Sequence, residues 1–295
     1  MSTVPDIKPK RGVSLYSYSS EFGVSMTLED MFAEMQDMGA NGLEILANSH
    51  IPGYPNPSEE WLEHWDRLIS KYHIVPVEYG HWVDSRLYEG RELSVEESLE
   101  MLVRDFKLAN RLGFRILRTK LGVIDETLSP VQNWKEIIEA ALPYAKQYDV
   151  IMCPEIHAPT LLNSAMVKEY VELIQRTGTR HFGLNVDFGV FETQALPADL
   201  WGPDDFIMPP GEHSPVADII PLLPYVYCCH AKFVQVTGEL TEMTIPYGEI
   251  IGTLAAHGWD GYMLSEFEGP NKNVLGTAPY QVRLHQAMMK QILGE

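Results

Sequence analysis

The chain of 295 residues has no apolar run approaching the roughly 20 residues that a membrane-crossing helix needs, so a membrane is not an expected partner. Cysteine is scarce: there are three, and two of them, Cys228 and Cys229, are adjacent, so no disulfide framework can be drawn. The opening MSTVPDIKPKRG lacks the apolar core of a secretory signal. Together these absences predict a reduced, cytoplasmic setting. Basic residues are in deficit, with 22 Lys and Arg against 41 Asp and Glu and a formal charge of −19. A chain of that sign repels a phosphate backbone, so nucleic acid is not an expected partner either. The first strand-like run, VSLYSYSSEFG, carries no glycine-rich dinucleotide turn. There is no P-loop, nucleophile elbow, CxxC pair or His-rich zinc cluster. Cys153 falls in the middle of a strand-like run, and all three thiols read as buried structural groups rather than nucleophiles.

What the chain does have is alternation. Strand-like runs start near residues 13, 42, 74, 114, 150, 181, 225 and 261, and amphipathic helical stretches separate them. In 27–40, Leu28, Met31, Phe32, Met35 and Met38 form one helical stripe. Further helices are expected over 57–73, 95–113, 134–149, 165–178, 245–258 and 278–294, with a shorter one around 217–223. Eight strand–helix units of about 37 residues each favour a closed (β/α)8 TIM barrel over a doubly wound sheet. No linker divides the chain, so the expectation is one domain over 1–295 with a short N-terminal extension, 1–11. Two long connections, 47–58 and 190–216, follow strands and would lie on the barrel face that carries active sites.

Four polar residues stand where core strands should be apolar: Glu155 after VIMCP, Asp187 after GLNV, His230 after YVYCC and Glu266 after GYMLS. Each lies towards the C-terminal end of its strand, one unit after the previous one. A single acid there commonly caps a helix or pairs with a lysine. Four in register on consecutive strands would aim three carboxylates and one imidazole at a common point. Burying three carboxylates together is strongly repulsive unless a cation neutralises them. Oxygen donors with one nitrogen suit Mn²⁺, Mg²⁺ or Co²⁺.

Residues two positions apart share a strand face, so His157 accompanies Glu155, Lys232 accompanies His230 and Glu268 accompanies Glu266. His157 is the candidate general base. Lys232 could polarise a substrate oxygen or pair with a carboxylate. Earlier strands offer Glu44, Tyr79, His81, Arg118 and Lys120; of these His81, Arg118 and Lys120, with Lys232, are the substrate-binding candidates. His181, at the start of its strand, and the helical His64, His257 and His285 are set aside.

The order Glu155–Asp187–His230–Glu266, with GANGLEI, PEIH, CHAKF and SEFEG, resembles the xylose-isomerase-like family of sugar isomerases and epimerases, over essentially the whole chain. Within it, RGVSLYSYS, IPGYPNPS and HAKF are similar to the metal-binding alpha subunits of bacterial C-glycoside deglycosidases. The resemblance implies a divalent metal, best matched by Mn²⁺, that binds neighbouring sugar oxygens, and a base that removes a carbon-bound proton beside a carbonyl. Residues matching Glu155 and Glu266 serve in this superfamily both as ligands and as acid/base groups. The narrower likeness implies elimination of the aglycone from a 3-oxo-C-glycoside, with His157 as base, and a small beta subunit as partner. A sugar isomerase or 3-epimerase, monomeric or a homo-oligomer, is the alternative. A nuclease of the endonuclease IV type resembles the same superfamily but uses more histidines and a basic surface. A non-catalytic sugar-binding or scaffold subunit is the reading from another class.

Overall fold

The computed structural model describes residues 8–81, 91–119, 131–203, 205 and 211–295. The first half of the chain runs β1 (Lys10–Ser14), α1 (Leu28–Met38), β2 (Gly42–Leu46), α2 (Ala47–His50), α3 (Glu59–Tyr72), β3 (Val75–His81), α4 (Val95–Leu112), β4 (Ile116–Thr119) and α5 (Trp134–Gln147). The second half runs β5 (Ile151–Met152), β6 (Glu155–Ile156), α6 (Ala165–Thr177), β7 (Leu184–Asp187), β8 (Val226–Phe233), α7 (Tyr247–Ala256), β9 (Tyr262–Phe267) and α8 (Thr277–Leu293). β1 begins at Lys10, inside the stretch expected as an extension. Helix starts follow local chemistry: Thr27 and Ser94 each close a capping box with Asp30 and Glu97, worth about 1 kcal/mol apiece. Among the described residues no helix is long and apolar enough to cross a membrane.

All strands pair in parallel, in the order β5-β4-β3-β2-β1-β9-β8-β7-β6. The two ends of that order are consecutive in the chain. The expected fifth strand, 150–157, is interrupted because Pro154 has no N–H to donate. Its first half bonds to β4 and its second half to β7. The residues between close the ring: the Cys153 N–H donates to Leu117 O at 2.9 Å, and the Asn185 N–H donates to Pro154 O at 3.1 Å. The result is a (β/α)8 barrel with a split fifth strand. The short helix expected around 217–223 is a 3-10 helix over Val216–Tyr225, because Pro221 and Pro224 remove the donors an α-helix would use there.

Period-two alternation stacks the barrel interior in layers. The lowest is apolar: Ile116, Cys153, Cys228 and Leu264 are buried and packed with Ile151, Tyr227 and Tyr262. Two residues further along the same strands come Arg118, Glu155, His230 and Glu266. A further two bring His157, Lys232 and Glu268. The larger hydrophobic core lies between strands and helices, where Trp65, Phe106 and Phe114 are fully covered. All three cysteines are free and buried, and burial pushes each thiol up from its ordinary range, so none is an available nucleophile.

Candidate metal centre

Glu155 on β6, Asp187 at the end of β7, His230 on β8 and Glu266 on β9 converge, each offering one donor atom within 4.8 Å of all the others. His230 Nδ1 lies 2.7 Å from Glu155 Oε1 and 3.1 Å from Glu266 Oε2. Asp187 Oδ1 accepts the Gly189 N–H at 2.6 Å, which orients its carboxylate at the strand end. Burial raises Asp187 well above the usual carboxylate range, opposed by Lys232 and reinforced by Glu266 and Glu155. Burial disfavours a charged His230, yet Glu266, Glu44, Glu155 and Glu78 together lift it well above an ordinary imidazole. The group therefore draws positive charge towards its centre. Three carboxylates and one imidazole nitrogen, mutually close and almost fully buried, fit a divalent cation.

His230 has a second face. Its Nε2 lies 2.9 Å from Glu78 Oε2 and 3.4 Å from Glu44 Oε2, both on fully buried carboxylates. Asn185 Nδ2 donates to the two Glu78 oxygens at 3.1 and 3.3 Å, and Asn185 Oδ1 accepts the His230 backbone N–H at 3.1 Å. Ser14 Oγ donates to Glu44. Arg118 joins the layers: Nη1 donates to Glu155 Oε2 at 2.7 Å and Nε lies 3.1 Å from Glu44 Oε1. Although burial opposes it, Arg118 holds Glu44 below the usual carboxylate range and Glu155 well below it, with His230 assisting in both cases. Glu78, without that arginine in contact, is pushed up by burial. A carboxylate behind an imidazole that faces a metal site orients the ring and sets its tautomer.

The other residues singled out in the sequence take distinct places. His157 is half-buried, and its Nδ1 donates to Ala158 O at 2.7 Å, which leaves Nε2 as the basic nitrogen of the neutral ring. Lys232 ion-pairs with Glu268. Both line a cavity of about 440 Å³ together with Tyr16, Trp201 and Lys272. Arg118 is 7% exposed and is engaged by Glu44 and Glu155. Tyr79 turns outward, its hydroxyl donating to Asp105 of α4 at 2.7 Å. His81 is the last residue of β3, and its side chain, like the whole of Lys120, lies outside the described residues. His285 is fully buried beside Ser265 and stacked on Phe233. Sequence reasoning did not single out Glu78 or Asn185. Glu78 carried the same signal as the four ends, a charge inside the apolar run IVPVEYGHW.

Comparison with known proteins agrees with this architecture. A Microbacterium 3'-dehydrocarminate deglycosidase alpha subunit is 23% identical, covering 97% of this chain and 96% of the relative. A C-glycoside deglycosidase alpha subunit of Arthrobacter globiformis is 22% identical, covering 88% of this chain and 84% of its own. The solved structure of a D-psicose 3-epimerase, in the presence of D-fructose, superposes with a TM-score of 0.66 at 16% identity, covering 97% of this chain and all of that one. The family model described as xylose isomerase-like TIM barrel matches residues 32–292. The chain, with its eight-unit parallel barrel, belongs to the xylose isomerase-like TIM barrel family.

Proposed function

We propose that this protein is a divalent-metal-dependent enzyme of sugar chemistry, and that it cleaves 3-oxo-C-glycosides to release the free aglycone. The observation that carries the reading is the convergence of Glu155, Asp187, His230 and Glu266 at the C-terminal ends of neighbouring strands. The two deglycosidase alpha subunits, similar along most of their length, support the narrower assignment. Glu155, Asp187, His230 and Glu266 would hold the ion, with Mn²⁺ the best match and Mg²⁺ or Co²⁺ the alternatives. When bound, the ion supplies Lewis-acid stabilisation for negative charge developing on a sugar oxygen.

His157 acts as the base, through Nε2, on the C2 proton beside the 3-oxo group. The electron pair left on C2 forms the C1–C2 double bond as the bond from C1 to the aglycone breaks. The aglycone carbon keeps the pair of that broken bond and takes up a proton, which the His157 imidazolium can return. Lys232, held by Glu268 at the cavity wall, orients a substrate hydroxyl. Arg118 works from behind, keeping Glu155 ionised. The deglycosidase relatives are alpha subunits, which favours a small beta partner here over a homo-oligomer.

A second reading, a ketose isomerase or 3-epimerase, is favoured by the two carboxylates flanking His230 Nδ1 at 2.7 and 3.1 Å, since Glu155 and Glu266 could then act as the acid/base pair. Incubation with Mn²⁺ and a 3-oxo-C-glucoside, with and without a relative's beta subunit, should release aglycone. Interconversion of ketoses while the glycoside stays intact would refute the lyase reading in favour of the second. Binding of sugar with no turnover of either class would make the barrel a binding subunit.

A further inference from the structure

The cavity beside the metal centre holds a cation that no described residue neutralises by contact. Lys272, between β9 and α8, places its Nζ 3.3 Å from the centre of the Tyr16 ring. Among the described residues, no carboxylate comes within ion-pair distance of it. The acids around it are engaged elsewhere. Glu268 pairs with Lys232 and also receives the Tyr16 hydroxyl. Asp205 Oδ2 accepts the backbone N–H groups of Gly202 at 2.6 Å and Asn271 at 2.8 Å. Glu192, on the same cavity wall, is acted on by the Lys232 charge. Burial pulls Lys272 down to about 8, with Glu268 and Glu266 opposing through space, so the amine still carries its proton at neutral pH.

A half-buried ammonium is costly unless something compensates it. The Tyr16 face supplies part of that compensation, by attraction between the cation and the ring's negative face. Tyr16 and Lys272 both line a cavity of about 440 Å³, within the size range of small-molecule sites. Trp201 lines the same space and offers an aromatic surface within it. An anion carried on a flat ring would satisfy both features at once.

We propose that this cavity recognises an anionic group, a carboxylate or a phosphate, attached to the substrate, and that Lys272 is the residue that selects it. The proposal rests on the reading of the centre as a sugar-active site, and it names the substrate class: glycosides whose aglycone or sugar bears a negative charge. Lys272 does not touch the metal donors, so its part is selection.

The test uses metal-depleted full-length protein and three probes of matched shape: 1-naphthoate, 1-naphthyl phosphate and uncharged 1-naphthamide. Calorimetric titration should show at least one anion binding about tenfold more tightly than the amide. In Lys272→Met that gap should shrink to within about twofold while the amide binds as before. The anion that shows the gap identifies its source, carboxylate or phosphate. Matching thermal melts of the two proteins establish that the variant is folded. Equal binding of all three probes, no binding of any, or a gap that survives in Lys272→Met overturns the proposal. The assay needs neither metal nor turnover, so its outcome is separate from that of the aglycone-release experiment.

Discussion

The two faces of His230 meet two carboxylate clusters, each close enough around the ring to hold a cation, that differ in number, burial and partners. Behind the ring, Glu44 and Glu78 are sealed inside the barrel, and their contacts are protein groups: Arg118, Asn185, Ser14 and His230 itself. In front, Glu155, Asp187 and Glu266 crowd together with charge in excess of the cations that touch them. Hydrogen bonds from Ser14, Asn185 and His230 to the buried acids behind the ring add rigidity. The front cluster brings one more carboxylate to the ring and is the less enclosed of the two, so it is the better placed to receive an ion. On the proposed reading, the same imidazole is held by protein groups on one side and offered to a cation on the other.

The sharpest break in this comparison comes from removing a front donor. Glu155→Ala or His230→Ala should lower metal-dependent turnover by about 10³-fold or more, measured as kcat/KM with saturating Mn²⁺. Unchanged activity in both variants would sink the site assignment. His157→Gln should lower kcat by about 10²-fold while leaving Mn²⁺ affinity as it is, because the role proposed for the residue is on the substrate and not the ion. Substitution behind the ring should act more softly. Glu78→Ala should weaken Mn²⁺ binding by about 10–100-fold, and Glu78→Gln should recover much of that loss, since an amide oxygen still accepts from Nε2. Titration followed by Mn²⁺ paramagnetic resonance would separate the two variants.

Below both clusters, Leu264→Ala in the apolar layer should cost about 2–5 kcal/mol of stability by chemical denaturation. Its folded fraction should keep Mn²⁺ affinity. His50 provides the smallest effect and a contrast with His230. It is 1% exposed and accepts the Leu46 backbone N–H through Nδ1 at 3.2 Å. Burial pulls it down to about 4, where four carboxylates push His230 up. The unfolded chain, with an ordinary imidazole, binds more protons below about pH 6.5, so stability from this residue falls as pH drops from about 6.5 towards 4. The loss amounts to about 3 kcal/mol at most, and the slope over that interval should flatten in His50→Gln.

Much of this was legible in the chain because period-two alternation and the strand–helix rhythm are local properties. Glu155, Asp187, His230 and Glu266 stood out as charges at the ends of apolar runs, and the barrel brings them together as their spacing implied. The layer behind was harder to read. Glu78 sits one position from Tyr79, and which of the two faces inward depends on the strand's register, which a shift between Leu43 and Glu44 alters locally. Asn185 is uncharged and signals nothing by itself. Its role appears only once β7 lies between β6 and β8. Arg118 suggested contact with a substrate or with nearby acids, and the three-dimensional arrangement shows Glu44 and Glu155 on either side of it. The cation–ring pair of Lys272 and Tyr16 joins the two ends of the chain, a contact no local pattern could announce.

The front cluster is proposed to hold one ion per chain. Metal-depleted protein titrated with Mn²⁺, and analysed for bound metal after exchange into metal-free buffer, should retain one ion per chain. Glu155→Ala and Asp187→Asn should retain almost none. A wild-type stoichiometry that stays well below one, or equal retention in the variants, would contradict it.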